Sequence, residues 1–136
     1  MQAKLLAPLP MNAFFSLLPR PPALRSKSRV YDLKARLDWG EPALTIIDVR
    51  DRHQFNLSHI TGAISMPLAE LPARTLDCLE FDRDLYVYGD IDEEAAEAAT
   101  KLRDAGYHNV SELRGGLPAW KAVGYPIEAT LTAFQR

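Results

Sequence analysis

Leu85-Tyr86-Val87-Tyr88-Gly89-Asp90-Ile91-Asp92-Glu93-Glu94-Ala95-Ala96 changes character twice over a short distance. An apolar, β-prone run stops at a glycine, four acids follow within six positions, and an alanine-rich segment of helical spacing begins. Residues 84–88 read as a strand. Ala95, Ala98, Ala99 and Leu102 form the buried stripe of the helix after it. Asp90 is placed to cap that helix, with Glu93 three residues on completing a capping box. Glu97 and Lys101 sit four apart on its outer side in the favourable order, and Gly106 ends it. A strand that runs into a helix start is where open α/β sheets place their chemistry. The first N–H groups of such a helix attract anions.

Upstream, Thr45-Ile46-Ile47-Asp48-Val49-Arg50 reads as a continuous β-branched strand, as in a parallel sheet covered on both faces. Asp48 and Arg50 close it on one face, two residues apart. Residues 51–56 suggest a helical turn, residues 59–63 a tight connection, and residues 64–67 a second short strand. Pro72 opens a helix over about 71–79 that carries Cys78. Before these, Ser28 is placed to cap a helix reaching about Leu37, with Val30, Leu33 and Leu37 on one face. Trp39-Gly40-Glu41-Pro42 stops it. Downstream, residues 109–113 read as a last strand, Arg114-Gly115-Gly116 as a turn, and residues 117–123 as a closing helix with Trp120 inward. Strands and helices alternate from residue 45, so the class is α/β with a mostly parallel sheet.

A chain of 136 residues with 47% hydrophobic and 25% charged residues suits one domain with its own core. Residues 1–27 read as a flexible arm, because Pro8, Pro10, Pro19, Pro21 and Pro22 interrupt regular structure. Residues 28–127 form the domain and residues 128–136 a tail. Residues 1–36 carry seven Lys/Arg against one acid, residues 37–136 nine against seventeen. An acidic body argues against nucleic acid as a partner. The basic arm leaves a membrane-surface or organelle-targeting role as the alternative to a plain extension, and residues 5–18 are too short an apolar piece to span a bilayer. The single cysteine, Cys78, excludes an internal disulfide framework and fits a reducing compartment, the cytoplasm. No Cys/His spacing resembles a zinc site, the acid spacing of residues 90–94 lacks a calcium-loop pattern, and no cofactor is expected.

Several motifs, in order, resemble the rhodanese family, the sulfur-transfer fold shared with Cdc25-type phosphatases. Ile47-Asp48-Val49-Arg50 is similar to its Asp-x-Arg strand end. Phe55 with His59-Ile60-Thr61-Gly62-Ala63 is similar to its Phe-x-x-Gly-His-Ile-x-Gly-Ala segment, with Ser58 where glycine is usual. Tyr86-Val87-Tyr88 resembles the strand that ends in the nucleophile. Residues 102–106, Val110, Arg114-Gly115-Gly116 and Ala119-Trp120 resemble the closing half. The resemblance implies an open, mostly parallel sheet with helices on both faces, in a single domain.

It also implies a departure. Family enzymes follow the strand with Cys-x-x-Gly-x-Arg/Lys-Ser and hold the transferred sulfur as a persulfide on that cysteine, cradled by backbone N–H groups. Aligned without gaps, Gly89 takes the cysteine position, Asp92 the glycine, Glu94 the basic residue and Ala95 the serine. The loop Gly89, Asp90, Ile91, Asp92, Glu93, Glu94, Ala95 is then vestigial, with no catalytic residue. Its acids compete with thiosulfate, persulfide or phosphate for the same N–H donors. Tyr88, next to the vacated position, is a candidate for lining a residual pocket. Asp48 and Arg50 are expected to pair and brace the loops, and His59 to close a turn. These readings point to a non-catalytic binding or regulatory module for a protein partner. The alternative is a sulfurtransferase or sulfur carrier using Cys78, alone or with a partner protein. A phosphatase fails on the same missing nucleophile.

Overall fold

The structure is a computed structural model, and it describes residues 23–40 and 43–130. Most of the expected arm, Glu41 and Pro42 of the helix stop, and residues 131–136 of the expected tail lie outside the described residues. Five strands form a parallel sheet: β1 (Lys27–Ser28), β2 (Leu44–Asp48), β4 (Ile64–Ser65), β5 (Asp84–Tyr88) and β6 (Val110–Leu113), in the order β1-β6-β5-β2-β4. A separate antiparallel pair joins β3 (Ser58–Ile60) to β7 (Ile127–Ala129). The helices are α1 (Val30–Trp39), α2 (Arg52–Leu57), α3 (Ala73–Cys78), α4 (Asp92–Asp104) and α5 (Gly116–Ala122), with a 3-10 turn at Leu68–Glu70.

The strand period sorts the core into two halves. Leu85 and Val87 of β5, with Ile47, pack against Ala95, Ala98, Ala99 and Leu102 of α4. Tyr86 and Tyr88, with Ile46, pack against Val30 and Leu33 of α1 and Leu117 and Trp120 of α5. The sheet is therefore covered on both faces, which is why β2 and β5 are apolar almost without interruption. Gly40 ends α1 in the left-handed conformation (φ 87°), where its N–H reaches the Arg36 and Leu37 carbonyls.

Several local expectations give way. Ser28 is not a cap. It lies in β1, and its hydroxyl shares a hydrogen bond with the Ser111 hydroxyl. Arg36, not Leu37, completes the buried face of α1, and Leu37 is exposed. The Arg36 guanidinium reaches Asp84 Oδ2 at 2.8 Å and the Tyr86 hydroxyl at 3.2 Å while its aliphatic stem lies in the core. Lys101 donates to the Leu68 carbonyl at 3.2 Å instead of pairing with Glu97, fastening α4 to the 3-10 turn. Residues 59 and 60, read as part of a connection, lie in strand β3. Residues 109–113 are not the last strand, because β7 follows.

Candidate functional site

All five parallel strands point their carboxyl ends to one edge, and the loops after β2, β4 and β5 meet there. The Val49 N–H donates to the Tyr88 carbonyl (2.9 Å) and the Met66 N–H to the Asp48 carbonyl (3.0 Å), so each loop is tied to its neighbour. Asp48 is fully buried at the end of β2. Its Oδ1 accepts from the backbone N–H of Arg50 at 2.9 Å, and its Oδ2 accepts from Arg50 Nη2 at 2.7 Å. The same Nη2 donates to the Ser58 carbonyl at 2.7 Å. Burial alone would lower the Arg50 pKa, but the hydrogen bonds and charge of Asp48 outweigh it and raise it. The Arg50 Nε and Nη2 are thus committed to Asp48 and to the Ser58 carbonyl.

His59 connects three elements. Its ring stacks on Phe55 of α2 with centroids 3.7 Å apart. Nδ1 bonds the Phe55 carbonyl at 2.7 Å and Nε2 bonds Glu128 Oε1 of β7 at 3.0 Å. Tyr88 is buried, and its hydroxyl accepts from the Ile60 N–H at 3.1 Å. Burial raises its pKa. Tyr88 is therefore a core strut and does not line the cleft at this edge.

The β5–α4 loop is built around Gly89 and Glu94. The cap of α4 is Ile91, with no side-chain cap bond, so the Asp90–Glu93 box does not form. Glu94 instead stands at the third helical position, where a glutamate reaches back over the helix start. Its Oε1 accepts the backbone N–H of Asp90 at 3.0 Å. A Cβ at Gly89 would stand 2.9 Å from the Glu94 Cβ, 3.0 Å from its Oε1 and 3.3 Å from Val49 Cγ2. Only a residue without a side chain fits there unless α4 moves. Asp92 turns the other way: its Oδ1 accepts the Gly115 N–H at 2.9 Å and its Oδ2 lies 3.3 Å from Arg114 Nε, bracing the β6–α5 turn. Glu93 and Ile91 are exposed, and Ala95 is buried against the sheet.

A cleft of about 350 Å³ opens beside this loop, lined among others by Arg50, Gln54, Leu57, Asp90, Leu117 and Lys121. The Gln54 side-chain amide lies against the Asp90 carboxylate, and with its nitrogen turned toward that group it would donate to Oδ1 at 3.2 Å and Oδ2 at 2.9 Å. Partial desolvation, then the nearby Glu94 carboxylate, hold the Asp90 carboxyl above its ordinary pKa. The loop thus presents carboxylate where an anion would need donors. Cys78 lies elsewhere, exposed at the end of α3, with its thiol donating to the Arg74 carbonyl at 3.2 Å. Sequence reading found the acids and the glycine but missed Gln54, Leu57 and Lys121, which carry no pattern of their own and meet only in the fold. Among the described residues no group of three or more His, Cys, Asp and Glu side chains could hold a metal ion. None of their helices is long and apolar enough to cross a membrane.

Comparison with known proteins agrees with this geometry. The family model described as a rhodanese-like domain matches residues 30–123. A solved rhodanese-like domain of the Alr3790 protein from Anabaena sp. is similar, with a TM-score of 0.76 and 50% identity over 80% of this chain and 83% of that one. An HTH-type transcriptional regulator of Mycobacterium tuberculosis, Rv0324, is 36% identical over 71% of this chain and 42% of its own length. A sulfurtransferase of Allochromatium vinosum is 32% identical over 71% of this chain and 89% of its own. The chain spans about half of the length of the curated relatives it matches first. With the sheet order, the paired strand end and the strand–loop–helix already in place, this chain belongs to the rhodanese-like domain family.

Proposed function

We propose that this chain is a rhodanese-like domain without sulfur-transfer activity at the β5–α4 loop, serving as a binding or regulatory module for a protein partner. One observation carries the reading. Gly89, at the place the motif alignment gives the nucleophile, has no room for a side chain, because Glu94 fills that space and accepts the Asp90 N–H. A persulfide needs a sulfur atom to sit on and free N–H donors around its charge. Here the first is missing and one of the donors is spent on a carboxylate. Resemblance to one stretch of a protein named as a transcriptional regulator supports use of the domain as a module.

Incubation with thiosulfate followed by intact mass measurement tests this, on the wild type and on Cys78→Ser. The expected result is an unchanged mass for both. A stable sulfur adduct lost in Cys78→Ser would support instead a sulfur carrier working through the exposed thiol of α3, the activity class named for the Allochromatium relative.

A further inference from the structure

A second pocket lies at the same edge of the sheet, beyond β6, and its chemistry is opposite to that of the β5–α4 loop. Strand register creates it. Ser28 of β1 pairs with Leu113 of β6, so the next residues of each strand, Arg29 and Arg114, emerge side by side at the carboxyl edge. The Arg114 N–H donates to the Ser28 carbonyl at 2.9 Å and fixes this register. Lys27 of β1 and Arg25 just before it join them, and the four cations line a cavity of about 530 Å³ with Asp32 as its one acid among the described residues. The Asp32 Oδ2 is already engaged, accepting the backbone N–H of Arg29 at 2.9 Å. Arg114 is held by Asp92 and Glu112. Arg25, Lys27 and Arg29 form no ion pair among the described residues.

We propose that this pocket binds a small polyphosphate oxyanion of the pyrophosphate class. Arg25, Lys27 and Arg29, gathered with no ion-pair partner among the described residues, repel one another, and a multivalent anion relieves that repulsion. Guanidinium groups bond phosphate oxygens in bidentate fashion, with charge assistance. The volume falls in the range of small-ligand pockets and exceeds what a lone phosphate fills. The acidic remainder of the chain disfavours a long nucleic acid backbone, which leaves a small ligand as the occupant. The proposal goes beyond the reading of the β5–α4 loop and uses none of its residues except Arg114, the neighbour of its brace.

Titration calorimetry of the full chain with inorganic pyrophosphate, at low and at physiological salt, is the test. The expected result is saturable binding that weakens with salt. It should fall about tenfold or more in Arg25→Gln/Arg29→Gln, where two charge-assisted contacts are lost. Lys121→Gln, in the cleft beside Asp90, should bind like the wild type. Both arginines are exposed, so the double variant keeps the fold. Absence of saturable binding to the wild type, or equal binding by the double variant, overturns the proposal.

Discussion

At the scale of single residues, Gly89 and Asp48 make opposite demands. Gly89 is set by a close approach: the Cβ of any other residue would fall 2.9 Å from the Cβ of Glu94. Gly89→Cys should therefore cost about 1–3 kcal/mol from overpacking, read by urea denaturation. Its thiol, facing the Glu94 carboxylate, should titrate above the ordinary value of about 8.5, read by the pH dependence of alkylation. Adding Glu94→Ala, which removes the carboxylate but keeps the Cβ, should return the thiol pKa toward normal while leaving most of the packing cost, whereas a freely reactive thiol in the single variant would show that Glu94 does not fill the space. Asp48 is set by charge: it is the buried counterion of Arg50. Asp48→Ala leaves that guanidinium uncompensated and should cost about 3 kcal/mol or more. A loss below about 1 kcal/mol would mean that the Ser58 carbonyl alone holds Arg50. Both residues were legible in the sequence, the glycine from its abrupt place after an apolar run and the aspartate from its spacing to Arg50. The partner of Gly89 was legible only in kind. A cluster of acids could be read, but not that Glu94 in particular folds back onto the Asp90 N–H.

At the scale of elements, the longer segments read cleanly and the short ones did not. The limits of β5 and the four-residue stripe of α4 follow directly from their periods. β1 and β7 have two and three residues, too few for any period to show, and they exist because β6 and β3 offer them partners. The face of α1 was misjudged by one position. A charged residue counts as outward in any pattern, yet Arg36 has Asp84 and Tyr86 waiting at the sheet. A similar fastening joins α2 to α3 on the surface. Glu70 accepts from Arg52 of α2 at 2.6 Å and from Arg74 of α3 at 2.9 Å. Chiefly the Arg52 hydrogen bonds, with Arg74 adding to them, pull the Glu70 pKa down to about 2. A carboxylate held low in the folded state adds stability above its ordinary pKa and loses it as the pH falls toward the folded value. Glu70→Gln should therefore melt below the wild type at neutral pH, with the gap closing between about pH 4.5 and 2 and shrinking in high salt. A gap independent of pH would assign the loss to packing.

At the scale of the whole molecule, one edge of a parallel sheet carries two loops of opposite sign, an acidic one after β5 and a basic one where β1 and β6 end. Motif order made the fold legible, because Asp48-Val49-Arg50, the His59–Ala63 segment and Arg114-Gly115-Gly116 are each tied to one loop of it. The basic pocket was not legible as a site. Arg25, Lys27 and Arg29 read only as cations of a basic N-terminal stretch and Arg114 as part of a turn, and pairing of β1 with β6 is what sets Arg29 beside Arg114. The central claim concerns the acidic loop, that its own carboxylate and a bare glycine leave nothing to carry sulfur. Thiocyanate formation from thiosulfate and cyanide, followed as an initial rate with the purified full chain, addresses it most directly. The account predicts a rate equal to the protein-free blank, and turnover clearly above that blank would contradict it.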